Sequence, residues 1–115
     1  MKRVAFVLCA VVCGQTVLAA DAPIQCDVGP VTKTYGSVPW LVYSCKDSKS
    51  LVVVSAPGSA AAPFYFFFSP DAGGYHIRGE GTGLKAITDA ALRDLQNLSG
   101  ADIWALIRET QATKQ

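Results

Sequence analysis

Histidine occurs once in this chain of 115 residues, methionine only at its first position, and neither sign of charge dominates, with ten Lys and Arg against nine Asp and Glu. The single histidine, His76, leaves no second imidazole for a zinc site. It also obliges any Ser-His-Asp or Cys-His apparatus to be built around one residue. No basic block or stripe is present to release counterions from nucleic acid, which argues against nucleic acid as a partner. C-x-x-C, G-x-S-x-G and P-loop signatures are all missing. No cofactor or metal is expected, and no residue is assigned a catalytic role.

What is present begins with the first twenty residues. Lys2 and Arg3 form a positive start, Val4 to Val12 is an unbroken apolar run, and Val17-Leu18-Ala19-Ala20 ends in the small residues a signal peptidase requires. Residues 1–20 therefore read as a signal peptide cleaved after Ala19 or Ala20. Gly14, Gln15 and Thr16 interrupt the apolar run, which is short for a bilayer span. Contact with a membrane is expected only through this segment before cleavage. Removing Met1 to Ala20 from the 115 residues leaves 95, a single domain over residues 21–115, with eight basic and nine acidic side chains. The expected location is the periplasm or the exterior.

Of the four cysteines, Cys9 and Cys13 leave with the leader. Cys26 and Cys45 remain as an even pair in an oxidising compartment, so a Cys26–Cys45 disulfide is expected. Eighteen residues separate them, which is not the spacing of a redox-active pair.

Strand signals follow. Trp40-Leu41-Val42-Tyr43-Ser44-Cys45 and Leu51-Val52-Val53-Val54-Ser55-Ala56 flank a short polar connection and read as a hairpin. Pro57 to Pro63 is a loop, because two prolines and a glycine in seven residues cannot sustain a ladder. Phe64-Tyr65-Phe66-Phe67-Phe68 and Tyr75-His76-Ile77-Arg78, joined by Ser69 to Gly74, form a second hairpin. A weaker strand is expected around Val31 to Tyr35.

Helical periodicity replaces alternation after Gly83. Leu84, Ile87, Ala91, Leu92, Leu95 and Leu98 recur at three- and four-residue steps, marking a helix that ends near Leu98, with Thr88 as an alternative N-cap. Ser99-Gly100-Ala101-Asp102 has the form of a capping box and opens a second helix, after which Gln111 to Gln115 is a polar tail. The expected class is α+β: a small antiparallel β-sheet of about four strands followed by two C-terminal helices packed on one face.

Alternation makes both faces of the Phe64 to Phe68 strand apolar, with Phe64, Phe66 and Phe68 on one and Tyr65 and Phe67 on the other. The helices can cover one face. The other is either closed by the N-terminal segment and the Ala/Pro loop or left as a contact surface. Trp40, Tyr65, Phe67, His76 and Arg78 are the candidate binding residues. Both tryptophans suit core anchoring, although Trp40 at a strand start suits stacking as well. His76 is expected in solvent beside Arg78. Gly79-Glu80-Gly81-Thr82-Gly83 reads as a flexible turn in preference to a phosphate cradle, whose spacing it lacks. Asp71, Glu80, Asp89, Asp94 and Asp102 fall where turns, caps and an exposed helix face each use an acid.

The string Val38 to Cys45, with Ser50 to Gly58, the Phe64 to Phe68 strand and Gly79 to Gly83, resembles small exported proteins of Gram-negative bacteria that carry no assigned activity. That likeness implies a periplasmic address. Tyr43-Ser44-Cys45, a polar turn and Leu51-Val52-Val53 are similar to the Tyr-x-Cys hairpin of periplasmic inhibitors of C-type lysozyme, an all-β family that pushes a loop into the enzyme's acidic cleft. The leading expectation is an exported, non-enzymatic binding module with an envelope protein or glycan as partner. Inhibition of a lysozyme-type hydrolase is the alternative, and a small envelope hydrolase built around His76, Asp71 or Glu80 is the second.

Overall fold

Strand alternation, tight turns and a C-terminal amphipathic stretch resolve into a five-stranded antiparallel meander followed by two helices, seen in a computed structural model that describes residues 24–113. The strands are β1 (Val28–Tyr35), β2 (Val38–Ser44), β3 (Leu51–Ser55), β4 (Phe64–Asp71) and β5 (Gly74–Gly81), each beside its sequence neighbour. The helices are α1 (Lys85–Gln96) and α2 (Gly100–Ala112). The α+β expectation is met with five strands where about four were expected, because the weak signal at Val31 to Tyr35 belongs to a full eight-residue strand. The expected signal peptide, residues 1–20, and its cleavage point lie outside the described residues.

The β1–β2 turn needs two left-handed residues. Gly36 and Ser37 supply them with φ of 61° and 68°, the backbone of the favoured two-residue hairpin. Gly36 is also required for a second reason. A Cβ there would stand 2.6 Å from the Ala91 backbone nitrogen, so α1 lies directly on the turn, and the Gly36 N–H donates to Asp94 Oδ2 at 2.7 Å. The β2–β3 loop is organised by Asp47, whose carboxylate accepts from the Lys49 and Ser50 N–H groups and the Ser50 hydroxyl. Burial opposes ionisation of Asp47, but these three donors and the Lys49 charge outweigh it and hold its pKa below the usual carboxylate value.

The core fills the space between one sheet face and the helices. Trp40, Val42, Leu51, Val53, Phe66 and Phe68 from the sheet meet Ala91, Leu95, Ile103, Leu106 and Ile107 from the helices. Trp40 is fully buried. Its indole N–H donates to the Tyr35 carbonyl at 2.9 Å, and its ring meets Phe66 at a centroid distance of 5.3 Å. Beside this layer the Tyr35 phenol is pushed up to about 12, chiefly by burial and further by the carboxylates of Glu109, Asp102 and Asp94.

Helix α1 starts at Lys85 without a side-chain cap. Thr88 sits inside it with its hydroxyl donating to the Lys85 carbonyl, so the alternative N-cap does not form. Helix α2 has the expected capping box: the Asp102 N–H donates to Ser99 Oγ and the Ser99 N–H to Asp102 Oδ2. It continues through Ala112, well into the stretch expected as a polar tail, because Thr110 is buried. The Thr110 hydroxyl lies 2.7 Å from Ser44 Oγ and 2.6 Å from the Ile107 carbonyl. The Cys26–Cys45 disulfide is present, and the Lys46 N–H bonded to the Gln25 carbonyl holds the same N-terminal segment against the end of β2.

Candidate functional site

The helices cover only one face of the sheet. Register fixes what the other face carries, since Leu41 stands opposite Val54, Val54 opposite Tyr65 and Tyr65 opposite Glu80. One row along, Tyr43, Val52, Phe67 and Arg78 stand side by side. The result is an apolar strip of Leu41, Tyr43, Val52, Val54, Tyr65 and Phe67, each partly exposed. Thr32 and Thr34 of β1 border it on one side, and His76, Arg78 and Glu80 of β5 on the other, all exposed. Among the described residues no element lies across this strip. The Ala/Pro loop walls one end instead of closing it.

At that end the strip deepens into an open groove of about 760 Å³, lined chiefly by Val52, Val54, Pro63, Phe64, Tyr65 and Glu80. The Tyr65 hydroxyl donates to Glu80 Oε1 at 3.0 Å, fixing the ring at the groove margin. Glu80 Oε2 lies 3.7 Å from Arg78 Nε, a solvent-exposed pair of little energetic weight. The loop wall is rigidly held. The Ala61 N–H donates to Ser59 Oγ, the Ala62 N–H to the Ser59 carbonyl, the Leu84 N–H to the Ala60 carbonyl and the Thr82 N–H to the Pro63 carbonyl.

Of the five candidate binding residues, four share this face: Tyr65 and Phe67 in the strip, His76 and Arg78 on its rim. Trp40 does not. With no exposed surface it is a core residue and is removed from the binding set. The expectation that both tryptophans anchor the core fails for Trp104, which is 50% exposed on the outer side of α2. Ile103, Leu106, Ile107 and Thr110 define the buried stripe of that helix, and Trp104 falls outside it.

The glycine-rich segment is no flexible turn. Gly79 and Gly81 belong to β5, and a Cβ on Gly79 would stand 2.9 Å from both the Phe64 and Phe66 rings. These glycines make room for aromatic side chains packed at a centroid distance of 5.0 Å. Leu41, Tyr43, Val52 and Val54 do not stand out as candidates in the sequence. Applying the period-two rule across neighbouring strands would have found them, since all share the parity of Tyr65 once register is known.

Among the described residues His76 makes no hydrogen bond to a carboxylate, and no three side chains of metal-binding type converge. No known protein family, curated protein or solved structure matches the chain.

Proposed function

We propose that this protein is an exported, non-enzymatic interaction module that holds a protein of the cell envelope against the uncovered sheet face. The contiguous strip from Leu41 to Phe67 carries this reading. A continuous apolar surface with a polar rim has the anatomy of a recognition site: side chains at the centre lose water on contact, while Thr32, Thr34, His76, Arg78 and Glu80 at the border set orientation. The groove gives a partner's aromatic or aliphatic side chain a place to insert, and Glu80 offers an acceptor at its margin. Little of the surface needs ordering on binding, because the strip stands on paired strands and the loop wall is already hydrogen-bonded. A glycan is the weaker occupant, since the strip presents few donors and acceptors for sugar hydroxyls. The export assignment rests on the features of residues 1–20 and accords with the disulfide.

Site-specific photo-crosslinking in the cell envelope tests this reading. A photoreactive residue at Val52 is expected to give a discrete protein adduct that disappears when Tyr65 and Phe67 are both changed to Ser, with folding verified by circular dichroism. The same probe at Trp104 serves as the control. Adducts of equal yield and identity from both positions, or none at Val52, would remove the sheet face as the contact surface.

A further inference from the structure

The two edges of the sheet are not equivalent. Edge strand β1 is blunted in three ways: Pro30 has no N–H, the register slips between Val28 and Val31, and Lys33 reaches over the helix side to Glu109 at 2.9 Å. Edge strand β5 has none of these devices. It runs eight residues in unbroken register with β4, without proline or bulge.

Which backbone groups of β5 face outward follows from one hydrogen bond. The Thr82 N–H donates to the Pro63 carbonyl just beyond the Phe64–Gly81 pair, so even-numbered residues of β5 turn their backbone groups toward β4. Tyr75, Ile77, Gly79 and Gly81 turn theirs away. No hydrogen bond among the described residues engages those outward groups.

We infer that β5 pairs antiparallel with β5 of a second copy of this chain, about a two-fold axis at Gly79, to give a continuous ten-stranded sheet. Charge selects this register. With the axis at Gly79, Arg78 stands opposite the partner's Glu80 and Glu80 opposite the partner's Arg78, both in the non-hydrogen-bonded positions where side chains approach most closely. An axis at Arg78 would set two arginines against each other, an axis at Glu80 two glutamates, and an axis at Ile77 would oppose Arg78 to the partner's His76. Sterics agree with the choice. On the helix side the opposed pairs are Gly79 with its own copy and Ile77 with the partner's Gly81, so no two bulky groups meet. Within one chain the Arg78–Glu80 contact of 3.7 Å between half-exposed groups is loose enough to be redirected. The pairing would also bring the two uncovered apolar strips into one surface.

Sedimentation velocity of the oxidised protein from about 10 µM to about 1 mM, the range suited to a short edge contact, is expected to show a monomer–dimer equilibrium. Arg78→Glu opposes like charges at both pairs and is expected to weaken the dimer about tenfold or more, while Arg78→Glu combined with Glu80→Arg restores it. Both side chains are exposed, so folding is checked simply by circular dichroism. Independently, amide exchange at Ile77, Gly79 and Gly81 is expected to slow as concentration rises. A monomer throughout, a dimer indifferent to Arg78→Glu, a double variant that stays weak, or concentration-dependent protection on β1 instead of β5 would each overturn the inference.

Discussion

Adjacent phenylalanines on β4 should respond very differently to truncation. Phe66 is 2% exposed, lies 5.3 Å from the Trp40 ring and 5.0 Å from the Phe64 ring, and is enclosed under the helices. Phe66→Ala removes its burial and two aromatic contacts and leaves a void that a close-packed layer cannot fill, a loss of about 4 kcal/mol. Phe67 points the opposite way, partly exposed between Val52 and Arg78. Phe67→Ala gives up cross-strand contact and partial burial only, about 1 kcal/mol. Urea unfolding of the oxidised proteins at neutral pH measures both. A domain of this size commands about 5 to 10 kcal/mol in all, so Phe66→Leu, which better conserves volume, serves where Phe66→Ala leaves too little folded protein. Equal losses at the two positions would refute the reasoning. They would mean that part of the chain covers the strip, and the proposed contact surface would be core.

Replacing Cys26 and Cys45 together by Ala opens a loop of about 20 residues and should lower stability by about 3 kcal/mol on the chain-entropy account; an unchanged urea midpoint would contradict it. Tyr35 has its folded pKa raised from 10.0 to about 12, so its contribution is complete below pH 10 and is lost as pH rises through that window. Tyr35→Phe should therefore flatten the fall in stability over that range, and parallel curves for the two proteins would count against the assignment. Gly83→Ala should cost about 2 kcal/mol or more because its methyl group would overlap the Ala61 carbonyl, whereas Gly100→Ala, with nothing within 4 Å, should be neutral or slightly stabilising; thermal unfolding compares them.

Local pattern carried most of the fold. The polar turn at Lys46 to Lys49, alternation in β2 to β4, and the Ser99 and Asp102 capping box are each written within a few residues, and each forms. The expected Ser69 to Gly74 connection shrinks to Ala72 and Gly73, because Ser69, Pro70 and Asp71 extend β4 in register with Gly74 to His76 of β5. What escaped depends on partners distant in sequence. Gly79 and Gly81 look like a turn until the Phe64 and Phe66 rings occupy the space beside them. Trp40 lies on the sheet face that the helices cover, whereas Trp104 falls outside the Ile103, Leu106, Ile107 and Thr110 stripe that α2 turns to the sheet, where Thr110 meets Ser44, 66 residues away. The interaction strip was half legible. Tyr65 and Phe67 stand out within one strand, but Leu41, Tyr43, Val52 and Val54 join them only through inter-strand register.

The meander also dictates a sequence of events in time. Every strand pairs with the one before it, so the sheet can zip from hairpin to hairpin with short loop closures. The contacts that seat the helices are the slow ones to find: Gly36 must meet Asp94 across 58 residues and Ser44 must meet Thr110 across 66. Between those stages the nascent sheet is wet on both sides, with Phe66 and Phe68 unshielded on one and Tyr65 and Phe67 on the other. Helices α1 and α2, which follow the whole sheet along the chain, thus end the period in which the sheet is most prone to aggregate.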